Sequence, residues 1–583
     1  MSRFLTLTSY NDALAILHAS APLSYQNERI QVTKSLGRML HQPVYAKLTV
    51  PHTTISQRDG YAVFASDTLL ARDSEPGVLQ NYAFVHTGSE IPNGYDAVIM
   101  QEDVRIEPDQ VLILKPARPG QNIQKAGSET SIGKMILPAG HVISAADIGA
   151  MTAYGVTTVE IKKLTVTLLP VGDELKEPCT APGPGEVIES NVLMLKAYLE
   201  SLGIATELHP IIPDSPQEIK TAILQAVLDS SFVIISGGTS MGKRDYTKSV
   251  LIENGTMLYH GVAMRPGRTT LAALVDGVTV FGLPGVPAGA ISVFEEIILP
   301  WLSDCGFPVP MKHIIQATLA ESIPSDIGTD DFIQMVVGEV NKTYQAIMVP
   351  RGNGQMTHVR TNGILHIAHM AEGLKWGDTC HIRLIRPYPH PKNILLVSGI
   401  SDLIIDILDQ FLQRKQIRLY CRPAKTDAVL LGMQNKGIHG GIIERFHIND
   451  TWCDIDYSLL LEPSSAIHIA DQVYIMASLE GEDVGEEHGV SWMNETETIQ
   501  KIKKGEIDAG PCSEHLAADY NLSGPVIGYK RMYFLVRNED LESEQIKEIR
   551  SLLSSDEWKS EVDLVVGYST ERSGEISPLT KDG

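Results

Sequence analysis

Between Phe232 and Thr247 the chain reads FVIISGGTSMGKRDYT, a stretch that few folds accept. Four strand-type apolar residues (Phe232, Val233, Ile234, Ile235) stop at Ser236, Gly237 and Gly238. The loop then runs through Thr239, Ser240, Met241 and Gly242 to Lys243, Arg244 and Asp245. Glycines let a backbone approach an anion and turn its N–H groups toward it, and a following helix adds the positive end of its dipole. The spacing matches neither the P-loop nor the dinucleotide GxGxxG. A bare Gly-Gly pair after an apolar run is ordinarily just a turn, but a turn needs neither the Arg244 cation nor the Asp245 carboxylate. The stretch reads as a strand feeding a phosphate-binding loop.

Its surroundings have an α/β rhythm. TVTLLP (165–170) reads as a strand, 190–202 as a helix stopped by Gly203, and TELHPII as a second strand. Ser215-Pro216-Gln217-Glu218 looks like a capping box that opens a helix through Leu228. This order predicts a parallel sheet with helices on both faces, whose ligands bind beyond the carboxyl ends of the strands. Three loops fall there: Val171 to Leu175, the glycine loop, and Gly282-Leu283-Pro284-Gly285-Val286-Pro287. They gather Asp173, Glu174, Thr239, Ser240, Arg244 and Asp245, and Met264-Arg265-Pro266-Gly267-Arg268 adds two cations. Hard oxygen donors beside a phosphate would suit Mg2+.

The fold class expected is multidomain α/β plus β. Helices are predicted over 4–20 and near 34–40, and a helical pattern returns over 144–163. Residues 1–42 and 144–163 thus form a helical linker domain, with an inserted β domain at 43–143. A parallel-sheet α/β domain would span 164–306. A small β-barrel is expected at 307–388, then a proline-rich linker at Pro387 to Pro391 and a second α/β unit at 392–583. At 583 residues the chain exceeds one core, and about three to five domains are expected.

With 71 acidic against 48 basic side chains, the net charge of −23 opposes nonspecific nucleic-acid binding. No apolar run is long enough for a membrane span, and the first residues carry no export-signal pattern, so a cytoplasmic protein is expected. The six cysteines form no CxxC pair, which argues against a zinc site.

Taken together, these motifs resemble molybdopterin molybdenumtransferase, the MoeA and gephyrin E-domain family, over roughly residues 4–386. SQRDGYA stands for the family's SAMDGYA, TGSEIPNGYDAVIMQE for TGAPLPPGADAVV..E, and VGDELKEP for TGDEL..P. SGGTSMGKRDYT stands for SGGVSVG..DY, MRPGR for KPGK and GLPGVP for GLPGNP. The resemblance makes 164–306 a molybdopterin-binding α/β domain. It implies a homodimer that binds adenylated molybdopterin, releases AMP with Mg2+, and places molybdate or tungstate on the dithiolene. The glycine loop is also similar to the GGTGxxxRDxT signature of the related molybdopterin adenylyltransferase domain, which binds the same pterin, and the resemblance makes that enzyme a candidate partner. Carried over by position, Asp59, Thr87, Glu174 and Asp245 would be catalytic, the three carboxylates also holding metal. Gly237, Gly238, Thr239, Ser240, Arg244, Arg265, Arg268, Pro284, Pro287 and Glu129 would bind the pterin.

The chain departs from that pattern at Arg58 (Met in the family), Pro170-Val171 (Ser-Thr), Val286 (Asn) and Glu129 (Asp). These departures keep a second reading open, a noncatalytic paralogue that binds molybdopterin or its oxyanion and regulates. The C-terminal unit resembles periplasmic-binding-protein-like domains, such as LysR effector and molybdate-binding domains, through SGISDLIIDIL, KKGEIDAG and GYSTERSGEI. That resemblance makes Ser398, Ser401 and Asp402 candidates for a small anion or pterin.

Overall fold

The computed structural model describes residues 7–239, 246–352, 354–386, 389–448, 451–452, 464–478, 495–507 and 509–579. The opening helix spans Tyr10–Ser20 and is capped by Ser9, whose side chain accepts from the Asp12 N–H. Thr8 bridges Val262 instead of extending the helix. Ala13 and Leu17 bury themselves in the core of the α/β unit, and the Trp301 indole donates to the Ala21 carbonyl at 3.0 Å.

The helical pattern expected at 34–40 is replaced by one 3-10 turn, Val32–Lys34, and a strand, Met39–Leu40. Gly37 lies between them at φ +74°, a left-handed conformation that ends a helix. The returning helix, Ala145–Ala153, gives way at Gly155 (φ +80°) to a strand, Thr158–Lys163. Val156, Thr157, Thr158 and Val159 are β-branched and favour it. That strand pairs with Gln26–Gln31 and Met39–Leu40, so a three-stranded sheet joins the two pieces that flank the inserted β region.

Six strands form the next sheet: β1 (Thr165–Pro170), β2 (Ala205–Leu208), β3 (Phe232–Ser236), β4 (Thr256–His260), β5 (Leu271–Val275) and β6 (Val278–Leu283), in the order β2-β1-β3-β6-β5-β4. The first four in that order are parallel, β5 runs antiparallel to β6, and β4 runs antiparallel to β5. Asp276-Gly277 sets this edge: both residues have positive φ, +50° and +80°, the two-residue hairpin turn that matches strand twist. Phe232 and Ile234 face one core with Leu195, Leu199 and Phe281. Val233 and Ile235 face the other with Ile219, Ile223 and Leu251. Pro216–Asp229 is a helix with proline in its first turn, but the Ser215 side chain makes no cap bond, so the expected capping box is absent.

The barrel closes on itself through Asp330–Val340, Thr343–Met348, His313–Leu319, Thr379–Leu384 and Gly363–Ile367, the last pairing back to the first. Met264–Arg265 pairs in parallel with Asp330 and Asp331, tying the α/β unit to the barrel. The expected linker at Pro387 to Pro391 lies partly outside the described residues, and Pro391 opens a 3-10 turn, Pro391–Asn393. The C-terminal unit does not hang from a loose tether: its Ile394, Leu396 and Tyr420 share a core with Val336, Val340 and Ile347 of the barrel. The C-terminal sheet has the strand–loop–helix opening expected, Ile394–Gly399 then Leu403–Gln413 capped by Asp402. Two long strands, Ser464–Ser478 and Val526–Arg537, run antiparallel through it.

Candidate active site

The carboxyl ends of β1, β3 and β6 come together as the strand order requires. Gly237 and Gly238 have φ of +91° and +63°, and their packing leaves no room for a side chain. A Cβ would lie 2.2 Å from the Val171 carbonyl oxygen at Gly237, and 2.5 Å from the Thr247 hydroxyl at Gly238. The expectation that both glycines turn N–H groups to an anion is corrected at Gly237, whose N–H donates to the Leu283 carbonyl at 3.2 Å. Gly237 therefore locks β3 to β6. The Thr239 hydroxyl does the same, donating to the Leu283 carbonyl at 3.1 Å. The Thr247 hydroxyl is buried beside Gly238 without a partner. Ser240, Arg244 and Asp245 lie outside the described residues.

Asn191, which no sequence motif singles out, stitches this edge. Its amide donates to the Gly285 carbonyl at 2.7 Å and to the Ser236 hydroxyl at 3.3 Å, while its own oxygen, buried, meets no donor. The Glu174 carboxylate packs over Gly172, where a Cβ would lie 2.8 Å from Oε2. Burial chiefly, with the charges of Glu174 and Glu177, pushes the neighbouring Glu189 carboxyl above its ordinary value. Pro287 starts the helix Pro287–Val293.

Behind the Pro284 loop is a cavity of about 410 Å³ lined by Arg265, Arg268, Pro284, Val286 and Arg351. Arg265, one of the two cations of MRPGR, is already paired. It donates from Nε to Asp331 Oδ1 at 2.7 Å and from NH1 to Asp326 Oδ2 at 2.7 Å, and a second bond joins it to Asp331. Those carboxylates hold the guanidinium above its ordinary pKa. Asp331 is 1% exposed, and it also accepts from Ser325 at 2.8 Å and from Arg351 at 3.4 Å. Arg268 is exposed at the cavity and has no ion-pair partner among the described residues. Sequence reading missed Arg351 and Asp331, although a cation in PRGNG is more than a turn needs.

In the inserted β region Asp59 and Thr87 form one group. Asp59 Oδ1 accepts the Thr87 N–H at 2.7 Å, and that bond, with His86 at 3.6 Å, holds the carboxyl below its ordinary range. Glu129 stands apart, accepting from the Tyr154 hydroxyl at 2.7 Å. The candidate residues thus divide between the glycine-loop edge, the arginine cavity and this inserted region.

Residues 8–155 match a family described as "MoeA N-terminal region (domain I and II)", and residues 167–304 one described as "Probable molybdopterin binding domain". Over these two stretches the chain is similar to MoeA proteins. A molybdopterin molybdenumtransferase of Staphylococcus aureus is 28% identical over 398 residues, 63% of this chain and 93% of that protein. Two crystal structures of a MoeA molybdopterin biosynthesis protein from Pyrococcus horikoshii, each 26% identical, superpose at TM-scores of 0.57 and 0.53. They cover 66% and 65% of this chain and 100% of their own. The C-terminal third is additional to these MoeA relatives. Among the described residues, no helix is long and apolar enough to cross a membrane.

Proposed function

We propose that the chain acts in molybdenum cofactor biosynthesis as a molybdopterin molybdenumtransferase, placing molybdate or tungstate on the dithiolene of adenylated molybdopterin with release of AMP. The observation that carries this reading is the cavity that holds Arg268 behind the Pro284 loop, next to a strand edge whose glycines exclude side chains. Among the described cations lining this cavity Arg268 is the one left for a phosphate or oxyanion, and Arg265 and Arg351 are held in place by Asp331. An unpaired guanidinium beside low-dielectric walls attracts and orients such a group. Asn191 and Thr247 offer further polar atoms at the loop.

Among the described residues no three His, Cys, Asp or Glu side chains converge on a metal position. Asp59 and Glu174 stand on different units, and Asp245 is outside the described residues. A homodimer that sets Asp59 and Thr87 of one copy against the glycine loop of the other is the arrangement this separation favours. The adenylated substrate requires a prior adenylyl transfer, which makes a molybdopterin adenylyltransferase a fitting partner. The C-terminal unit reads as a periplasmic-binding-protein-like domain, on the strength of its strand–loop–helix opening and two long crossing strands.

The test is metal analysis of the pterin product after incubation with adenylated molybdopterin and equal molybdate and tungstate. A metal-bearing pterin supports the reading. Pterin that stays tightly bound and metal-free supports a noncatalytic paralogue instead.

A further inference from the structure

The C-terminal unit contains a second cavity, of about 510 Å³. It opens between the loop at Ser401 and Asp402, the long strands bearing Gln472 and Lys530, and the segments bearing Glu495 and Ser513. Its one lysine is engaged. Lys530 Nζ lies 3.0 Å from Asp402 Oδ2 and 3.6 Å from Glu444, and its side chain is 6% exposed. Glu495 accepts from the Tyr474 hydroxyl and, at 2.7 Å, from the Ser513 hydroxyl, both neutral donors, and has no salt-bridge partner among the described residues.

Gln472 is the decisive group. It is 2% exposed and lines the cavity, and its Oε1 meets no donor. The orientation of the amide follows from its neighbours. The Tyr568 hydroxyl has one proton and gives it to Asp402 Oδ1 at 2.6 Å, so toward Gln472 it can only accept, which it does from Nε2 at 2.7 Å. The carbonyl oxygen of Gln472 is thereby left as an acceptor, and a buried acceptor without a donor is costly. Glu495, with no ion-pair partner among the described residues, and this unfilled carbonyl give the cavity acceptors, while Lys530 is paired and His515, which also lines it, faces Asp519 at 3.9 Å.

We propose that this cavity binds a small neutral or cationic molecule through its N–H groups, with the Glu495 carboxylate and the Gln472 carbonyl oxygen as acceptors. An oxyanion is the wrong partner: it brings no donors, and it would meet Glu495 with Lys530 already committed to two carboxylates. The small-anion expectation for Ser401 and Asp402 is corrected accordingly, since Asp402 is filled by Lys530, Tyr568 and the Ile404 N–H.

The experiment is calorimetric titration of the full chain with 6-methylpterin (a neutral amino-pyrimidinone), agmatine (a guanidinium) and sodium molybdate. It is repeated on Glu495→Gln and on Ser401→Tyr, which adds bulk at an exposed position that lines the cavity. The expected result is binding of 6-methylpterin or agmatine whose Kd rises at least tenfold in both variants, with molybdate behaving alike in all three proteins. Which probe binds distinguishes the neutral from the cationic source of N–H groups. Absence of binding by both N–H probes, binding that both variants leave unchanged, or molybdate binding that both variants abolish would overturn the proposal.

Discussion

Two cavities of this molecule are built on the same device and left with opposite electrical remainders. Each is anchored by a buried carboxylate shared with cations from distant segments: Asp331 with Arg265 and Arg351 behind the Pro284 loop, and Asp402 with Lys530 in the C-terminal unit. Among the described residues, the first leaves Arg268 and the second leaves Glu495 without an ion-pair partner. A buried pair contributes little net stability but fixes geometry, because both ions lose hydration that their attraction only offsets. The charge left over after pairing, not the inventory of charged residues, decides which ligand a pocket takes. Counting cations in MRPGR suggests two arginines for an anion, whereas pairing leaves one.

Removing an anchor should have the largest effect. Asp331→Ala removes a carboxylate, 1% exposed, that accepts from Arg265, Arg351 and Ser325 together, and about 3–5 kcal/mol of stability should be lost in denaturant unfolding. Lys530→Met should cost a similar amount by stranding Asp402, and a much smaller loss at either site would break the parallel between the cavities. Next comes Gly237→Ala, which combines a left-handed φ with a Cβ 2.2 Å from a carbonyl oxygen. A loss of about 3 kcal/mol is expected, with the chain still folded at low temperature.

Arg268→Ala sharpens the contrast because Arg268 has no ion-pair partner among the described residues. Its unfolding midpoint should stay within about 0.5 kcal/mol of the parent, while AMP release from adenylated molybdopterin should fall about 10- to 100-fold.

The smallest effect concerns neither cavity and serves as a scale. Asp147 completes a capping box with Ser144 and bonds His141 at 2.8 Å. The His141 bond first, then those of Ser144, lowers its carboxyl to about 2. A folded-state pKa below the unfolded one stabilises fully above the unfolded value, and that stability is lost as pH falls through about 2. Asp147→Asn should cost about 1 kcal/mol at neutral pH, and the difference from the parent should vanish at the acid end of a pH-dependent unfolding series.

Much of the fold was legible because its signals are local. FVIIS ending in glycines, a proline opening the helix Pro216–Asp229 and Gly203 closing the previous one all state their structure within a few residues. The errors came where one residue reverses a pattern: Gly37 and Gly155 end helical spacing, and Asp276-Gly277 turns a parallel sheet antiparallel at its edge. The site was legible as residue types and not as partners. Nothing local in RPGR indicates that Arg265 is claimed by Asp326 and Asp331 from the barrel, or that the Gly237 N–H is taken by Leu283 on the adjacent strand. Asn191 escaped for the same reason, since its partners Ser236 and Gly285 lie on two other loops.

The most direct test of the central claim is AMP release from adenylated molybdopterin by the full chain, with and without molybdate, followed in parallel for the parent and Arg268→Ala. The account predicts molybdate-dependent AMP release by the parent, reduced about 10- to 100-fold in the variant. Tight pterin binding by the parent with no AMP released under any oxyanion would contradict it.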